Sequence, residues 1–128
     1  MVRKDYRMLK SIPPINLDDI IPEKFSWGEI RWIWSEKVNA NAEQTLGYVT
    51  IYSGQKNTFH AHPNCEELMF VVEGECDHWI GKDIYHLKPG MTIVIPRGVE
   101  HYALVTSEGP LRALIFYSTP ARETNVIE

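Results

Sequence analysis

The stretch HAHPNCEE, residues 60–67, gathers two histidines, one cysteine and two glutamates into a short run of chain. His60 and His62 are two positions apart, which puts them on one face of a strand but on opposite sides of a helix. The threonine and phenylalanine just before them favour a strand, whereas Pro63 cannot continue one comfortably. We therefore expect both imidazoles to project side by side from the end of a strand.

A turn is expected directly after the two histidines. Pro63 and Asn64 would reverse the chain, and the next strand would then bring Glu66 or Glu67 back beside the imidazoles. Cys65 is a further candidate ligand, because thiolate binds zinc well. It lies in the turn before the strand that carries the ligand, so we expect its thiol not to bind the metal.

Outward from this stretch, short apolar segments alternate with turn residues at fairly even intervals, which is typical of an antiparallel sandwich or barrel. No long window has helical periodicity, so the sequence predicts a single all-β domain. The expected strands are EIRWIWS (29–35), TLGYVTIY (45–52), ELMFVVEG (67–74), ECDHWIG (75–81), DIYHLKPG (83–90), MTIVIPRG (91–98), HYALVTSEGP (101–110) and LRALIFYSTP (111–120).

Three segments are expected along the chain. Residues 1–25 form an irregular N-terminal arm with room for one helical turn before Pro22, residues 26–120 form the barrel, and residues 121–128 form a C-terminal tail. The tail has little to pack against, so we expect it to be frayed. Within the barrel, ELMFVV and TIVI are apolar on both faces, so a second sheet or a second subunit must cover them.

The composition is that of an ordinary globular domain. Of the 128 residues, 44% are hydrophobic and 23% are charged, and the net charge of −4 argues against a nucleic-acid partner, which would require a basic face. Four basic residues near the start are expected to be solvated: Arg3, Lys4, Arg7 and Lys10. We expect no membrane span and no secretory signal, and two cysteines do not make a disulfide framework, so the expected location is cytoplasmic.

Two spaced motifs include and follow the histidine stretch. Their fixed positions are Gly54, His60, His62, Glu67 and Gly74 in the first, and Gly90, Pro96, Gly98 and His101 in the second. Together they resemble G-x5-H-x-H-x3,4-E-x6-G and G-x5-P-x-G-x2-H-x3-N, the two motifs of the cupin superfamily. The one departure is Val105, where the family has asparagine, and that position is not a metal ligand in the family.

The resemblance implies a cupin-type antiparallel jelly-roll β-barrel with one metal ion inside. Glu67 is preferred to Glu66 as ligand because only Glu67 also has the six-residue spacing to Gly74. Three imidazoles and one carboxylate suit a divalent transition metal, namely Fe, Mn, Ni, Co or Zn. The family's metal ligands fall on His60, His62, Glu67 and His101.

Other side chains are candidates for substrate chemistry. Alternation puts His78 on the inward face of its strand, where it is either a base that moves protons or a hydrogen-bonded core histidine. Tyr52 is a second candidate for proton transfer. Arg97 and Arg112 are candidate clamps for a substrate carboxylate, although most arginines are solvated.

We expect a metal-dependent enzyme, of dioxygenase or of isomerase/lyase type, acting on a small oxygenated metabolite that chelates the ion. The alternative is a non-catalytic cupin that binds or senses a small ligand, and a third reading gives the metal a structural role only. Small cupins commonly form dimers, so the resemblance and the doubly apolar strands together predict a homodimer.

Overall fold

Two antiparallel β-sheets make up most of the computed structural model, which describes residues 11–127. The strands are β1 (Glu23–Phe25), β2 (Gly28–Trp34), β3 (Thr45–Ile51), β4 (His60–Ala61), β5 (Glu67–Glu73), β6 (Cys76–Ile80), β7 (Asp83–Leu87), β8 (Thr92–Ile95), β9 (His101–Val105), β10 (Leu111–Tyr117) and β11 (Asn125–Val126). A 3-10 helix, Leu17–Asp19, is the one helix within this range. The predicted all-β, jelly-roll class is therefore confirmed.

The strands divide into a six-stranded sheet with the order β1-β2-β3-β10-β5-β8 and a five-stranded sheet with the order β11-β4-β9-β6-β7. Eight strands were expected, and the three additional ones (β1, β4 and β11) are only two or three residues long. Strands this short carry too few residues to show a period-two pattern in the sequence. The eight longer strands all coincide with the predicted apolar segments.

The core lies between the two sheets, because alternate side chains of the facing strands point inward. In β5, Glu67, Met69 and Val71 are buried, as their spacing predicts. In β9, the buried side chains are His101, Ala103 and Val105. The inner face is largely apolar except where the imidazoles and the Glu67 carboxylate enter it.

The outer face of the six-stranded sheet is apolar and partly exposed. Phe70, Val72, Val94 and Phe116 are 37%, 43%, 52% and 37% exposed. Nothing in residues 11–127 covers this face, although both faces of these strands were expected to be covered. The inner faces are covered by the second sheet, so only the outer face remains open to a second subunit.

The C-terminal segment is not frayed. β11 pairs with β4 in an antiparallel arrangement, placing Val126 opposite His60. The Asn64 side chain fixes the approach to β11, because its Nδ2 donates to the Ala121 carbonyl at 2.9 Å and its Oδ1 accepts from the Glu123 N–H at 2.9 Å. The tail thus completes an edge of the five-stranded sheet.

The N-terminal arm differs in its last residues from the irregular lead-in that was expected. The 3-10 turn at Leu17–Asp19 lies before Pro22, in agreement with the single helical turn anticipated there. β1 then pairs with β2 as an edge strand. The four basic residues near the start lie outside the described residues. No helix in the part of the chain that the structure describes is long and apolar enough to cross a membrane.

Both cysteines are buried and neither forms a disulfide. Cys65 does lie in the turn before β5, but its thiol points into the core rather than into solvent. Burial raises the pKa of Cys76 to about 12, so this thiol is neutral at physiological pH. The two cysteines therefore act as small apolar core residues.

Gly74 ends β5 and turns the chain toward β6. Its φ of 81° lies in the left-handed region, and a Cβ placed there would collide with the carbonyl oxygen of Pro110. Gly54 has a similar φ of 74°, but a Cβ there would meet nothing within 4 Å. Glycine is therefore required at position 74 for two reasons: the left-handed backbone conformation, and the close approach of the segment that contains Pro110.

We expect Gly74→Ala to destabilise the fold more than Gly54→Ala, with urea denaturation as the measurement. Both variants bear the left-handed strain of about 1–2 kcal/mol, and Gly74→Ala adds an overpacking cost of about 1–3 kcal/mol. Equal losses of unfolding free energy in the two variants would mean that the close approach of Pro110 adds nothing to the destabilisation.

Candidate metal centre

The structure brings the four side chains of the two motifs to one place. His60 lies in β4 and is paired directly with His101, the first residue of β9. His62 follows β4, and Glu67 begins β5 in the opposite sheet. One ligand atom from each of these side chains lies within 4.8 Å of the others.

Each of the three imidazoles is oriented by a backbone carbonyl group. The Nδ1 atoms of His60 and His101 contact the carbonyl oxygens two residues before them, those of Thr58 and Val99. A carbonyl oxygen only accepts, so each Nδ1 carries a proton, and in the neutral imidazole Nε2 then keeps its lone pair. This is the tautomer in which Nε2 can bind a metal.

His62 obtains the same orientation from the C-terminal segment. Its Nδ1 donates to the Glu123 carbonyl oxygen at 3.0 Å, and the Thr124 hydroxyl lies 3.3 Å away. Asn64 holds Glu123 in place from the other side. The segment that was expected to be frayed therefore positions one of the four candidate ligands.

Three buried polar atoms of the cluster have no hydrogen-bond partner among residues 11–127: His62 Nε2, His101 Nε2 and Glu67 Oε1. Each nitrogen lies 3.3 Å from the carboxylate oxygen, but not in hydrogen-bonding geometry. Buried polar atoms without partners are rare and costly, and here they converge. Their arrangement and chemistry fit one cation bound between them.

The ionisation states suit a cation as well. Burial, with a smaller contribution from His101, lowers the pKa of His60 to about 4, so its imidazole is neutral at pH 7. Burial also opposes ionisation of Glu67, but the neighbouring His101 and His62 hold the pKa of its carboxyl below its usual range. A neutral imidazole and an ionised carboxylate are the forms that bind metals.

The cluster lies at the wall of a cavity of about 260 Å³ between the two sheets. This volume is below the range typical of sites for drug-sized ligands, so the cavity suits a small molecule. The other walls are mostly apolar and aromatic, and they come largely from β1, β2, β3 and β10. The apolar lining residues are Phe25, Trp27, Ile30, Val49, Ile51, Met69, Ile115 and Val126.

His78 lines this cavity but does not belong to the four-residue cluster. Its ring stacks on that of His101, with centroids 5.8 Å apart and an interplanar angle of 16°. Its Nδ1 is buried without a hydrogen-bond partner among the described residues. Burial lowers the pKa of His78 to about 4.

Tyr52, the other residue considered for proton transfer, does not reach the cavity. It is 46% exposed and is absent from the cavity walls, whereas its neighbour Ile51 is buried in them. Because strand side chains alternate, an inward Ile51 at the end of β3 directs Tyr52 outward. Its position gives it no contact with a molecule bound in the cavity.

The arginines considered as carboxylate clamps also lie elsewhere. Arg97 is exposed and lines neither this cavity nor its neighbour, and Arg112 forms an ion pair with Glu73, with Nε and Oε2 2.8 Å apart. The arginine that does line the cavity is Arg122, from the C-terminal segment. No sequence pattern indicated Arg122, because it follows the last predicted strand by two residues.

Comparisons with known proteins agree with this architecture. Residues 47–117 match the model of the family described as the cupin domain. Protein SchB of Streptomyces halstedii is 24% identical over 106 residues, which are 83% of this chain and 76% of that protein. Among solved structures, an uncharacterized conserved protein with a double-stranded beta-helix domain from Klebsiella pneumoniae has a TM-score of 0.76 and 16% identity, covering 92% of this chain and 99% of the other.

A second similar structure is that of Bacillus subtilis oxalate decarboxylase, a protein with Mn(II) centres. Its TM-score is 0.79 at 16% identity, and the alignment covers 87% of this chain but 31% of that one. This chain thus spans less than a third of the length of that enzyme. The similarity at this level of identity concerns the fold.

We expect His101→Ala and Glu67→Ala to lose most of their bound metal while keeping a β-rich circular dichroism spectrum. Each variant removes a candidate ligand, so the loss of affinity should exceed the roughly 10–100-fold effect of contacts outside the ligand set. Metal content after purification without added metal is the measurement. Glu66→Ala is the matched control, because Glu66 is exposed and should leave the metal in place. Equal effects at 66 and 67 would contradict the choice of carboxylate.

Proposed function

The chain belongs to the cupin family, and from this premise we propose that it is a metal-dependent enzyme acting on a small oxygenated molecule that chelates the ion. One observation carries the proposal: two imidazole nitrogens and one carboxylate oxygen are buried without partners among residues 11–127 at the wall of a cavity. His60, His62, Glu67 and His101 would hold one divalent transition metal, drawn from Fe, Mn, Ni, Co and Zn. The Mn(II) centres of oxalate decarboxylase support manganese as the first ion to test.

The bound ion would supply Lewis acidity toward a chelated oxygen or, if it is iron, a redox centre for dioxygen. The rest of the chemistry falls to the protein. The apolar cavity walls exclude water from the reacting group, which strengthens electrostatic interactions there. The ligand set carries one carboxylate, so a divalent ion keeps a net positive charge and favours anionic or enolisable oxygen groups.

His78 is the residue we propose for proton transfer. It lines the cavity, it is not a candidate ligand, and its Nδ1 has no competing partner among the described residues. The packing of its ring against His101 fixes the imidazole beside the ligand cluster. It can therefore take a proton from, or return one to, a molecule bound at the cluster without giving up a structural hydrogen bond.

A screen of small 2-oxo and 2-hydroxy acids tests the proposal. Protein loaded with Mn(II) is titrated with each acid while the relaxation of water protons is followed, since a chelating molecule displaces exchangeable water. Compounds that bind are then tested for conversion. Binding without conversion would favour the non-catalytic ligand-binding alternative, and oxygen consumption by the Fe(II)-loaded protein would favour the dioxygenase branch over the isomerase or lyase branch.

For any compound that is converted, we expect His78→Gln to lower kcat by roughly 10²–10⁴-fold, the usual contribution of a positioned acid or base. Metal content and compound affinity should change little, because glutamine keeps polar atoms in the same space. The matched control is His86→Gln, since His86 is exposed and paired with Asp77 and Glu75 on the outer face. An unchanged kcat in His78→Gln would remove His78 from the mechanism.

We also propose that a second copy of the chain covers the exposed apolar face of the six-stranded sheet. The side chains of Phe70, Val72, Val94 and Phe116 form this face, and contiguous exposed apolar surface of this kind marks an interaction site. A homodimer would bury the same face of both subunits about a twofold axis.

Sedimentation velocity should therefore give a dimer for the wild type and a monomer for Phe70→Glu, since a charge in the middle of the face opposes its burial. Ile84→Glu is the control, because Ile84 is 49% exposed but belongs to β7 in the other sheet. A wild type that is monomeric at all concentrations would refute the dimer.

A further inference from the structure

Arg122 stands in a wall shared by two cavities. It lines the cavity at the metal centre and also a second cavity of about 600 Å³ on the other side of the same wall. Glu23 is the other residue common to both linings. The second cavity has more polar walls, among them Ser35, Glu36 and Lys37. Arg122 is therefore accessible from the cavity that holds the ligand cluster and from the second cavity.

The guanidinium group of Arg122 is held by aromatic rings rather than by a carboxylate. Its Cζ lies 4.2 Å from the Trp32 ring centroid and 5.4 Å from that of Tyr117. Nη1 donates one hydrogen bond, to the Thr124 hydroxyl at 3.0 Å. No acidic side chain among residues 11–127 forms an ion pair with it.

This arrangement leaves most of the donors of Arg122 free within the described structure. A guanidinium group has five N–H donors in a planar fork that matches a carboxylate, and one hydrogen bond uses one of them. Glu23, which lines both cavities with Arg122, accepts from the Trp32 indole N–H at 3.2 Å and forms no ion pair with the guanidinium group. The cation is thus oriented by its stacking contacts rather than by an ion pair.

The same stacking connects Arg122 with the ligand cluster. The Tyr117 ring lies 4.9 Å from the His62 ring, centroid to centroid, and its centroid also lies 5.4 Å from the Arg122 Cζ. Trp32 can lie where it does because Gly47 has no side chain, since a Cβ there would come within 2.9 Å of the Trp32 ring. A glycine within β3 therefore creates the platform on which the guanidinium rests.

We propose that Arg122 binds a second anionic group of the substrate, a carboxylate, while the chelating end of the same molecule occupies the four-residue cluster. The substrate class is then a small 2-hydroxy or 2-oxo acid with a second carboxylate at the far end of a short apolar chain. This inference rests on the proposed function, because it assigns the chelating end to the metal centre. The apolar walls between Arg122 and the cluster contact the carbon chain.

The experiment compares matched pairs of acids that differ only in the distal group. The probes are 2-hydroxysuccinate, 2-hydroxyglutarate and 2-hydroxyadipate, each paired with the acid of equal length that ends in a methyl group (2-hydroxybutanoate, 2-hydroxypentanoate and 2-hydroxyhexanoate). Affinities for the Mn(II)-loaded protein are measured by calorimetry. We expect at least one dicarboxylate to bind roughly tenfold or more tightly than its partner, and the best length reports the distance from the cluster to Arg122.

In Arg122→Met the ratio of the affinity for the dicarboxylate to the affinity for its methyl-terminated partner should fall to about one. Arg112→Met is the matched control, since it removes a cation that lines neither cavity. Arg122→Lys keeps the charge but loses the fork, so it should retain part of the advantage. An equal loss of affinity for both members of a pair would mean that Arg122 serves only as a structural contact, and an absent advantage in the wild type would also overturn the proposal.

A metal-free arm separates this inference from the proposed function. The same dicarboxylates are added to metal-free protein while tryptophan fluorescence is recorded, because the guanidinium group of Arg122 stacks on the Trp32 ring. A change in the wild type that is absent in Arg122→Met supports the anion site even if none of the acids chelates the metal. If the fluorescence of the metal-free wild type does not change, the anion site at Arg122 is overturned. Binding of the methyl-terminated acids to the Mn(II)-loaded protein would still support the metal centre in that case.

Discussion

Three backbone carbonyl oxygens decide which nitrogen each histidine presents to the metal centre, and the rest of the site depends on this choice. Two of the carbonyls belong to residues just before their histidines, and the third belongs to Glu123, 61 residues beyond His62. With the protons fixed on Nδ1, the lone pairs and the Glu67 carboxylate face one another in a buried space. Buried polar groups without partners are costly, so this arrangement fits a cation that joins them.

Local rules account for only part of the candidate site. Strand alternation predicts that His60 and His62 share one side, and the same period of two predicts the eight longer strands and the inward position of His78. The full set of four candidate ligands, with Glu67 rather than Glu66 and with His101 from a distant segment, followed from the resemblance of the two spaced motifs to those of cupins.

The remaining features depend on contacts between distant parts of the chain. Asn64 holds the C-terminal segment through hydrogen bonds to residues 57 and 59 positions away, and no local pattern indicates this pairing. Arg122 was missed for that reason, whereas Arg97 and Arg112 both lie within predicted strand segments. Tyr52 shows a different limit: alternation directs it outward once Ile51 points inward, and the sequence alone did not establish which face of this strand is the inner one.

The pairing of the C-terminal segment with β4 has a practical consequence for work with this protein. Proteolysis or an insertion within residues 121–127 would displace the carbonyl that orients His62 and the arginine at the cavity wall. A preparation damaged there would bind metal weakly, and its low metal content would reflect the damaged segment rather than an unsuitable ion.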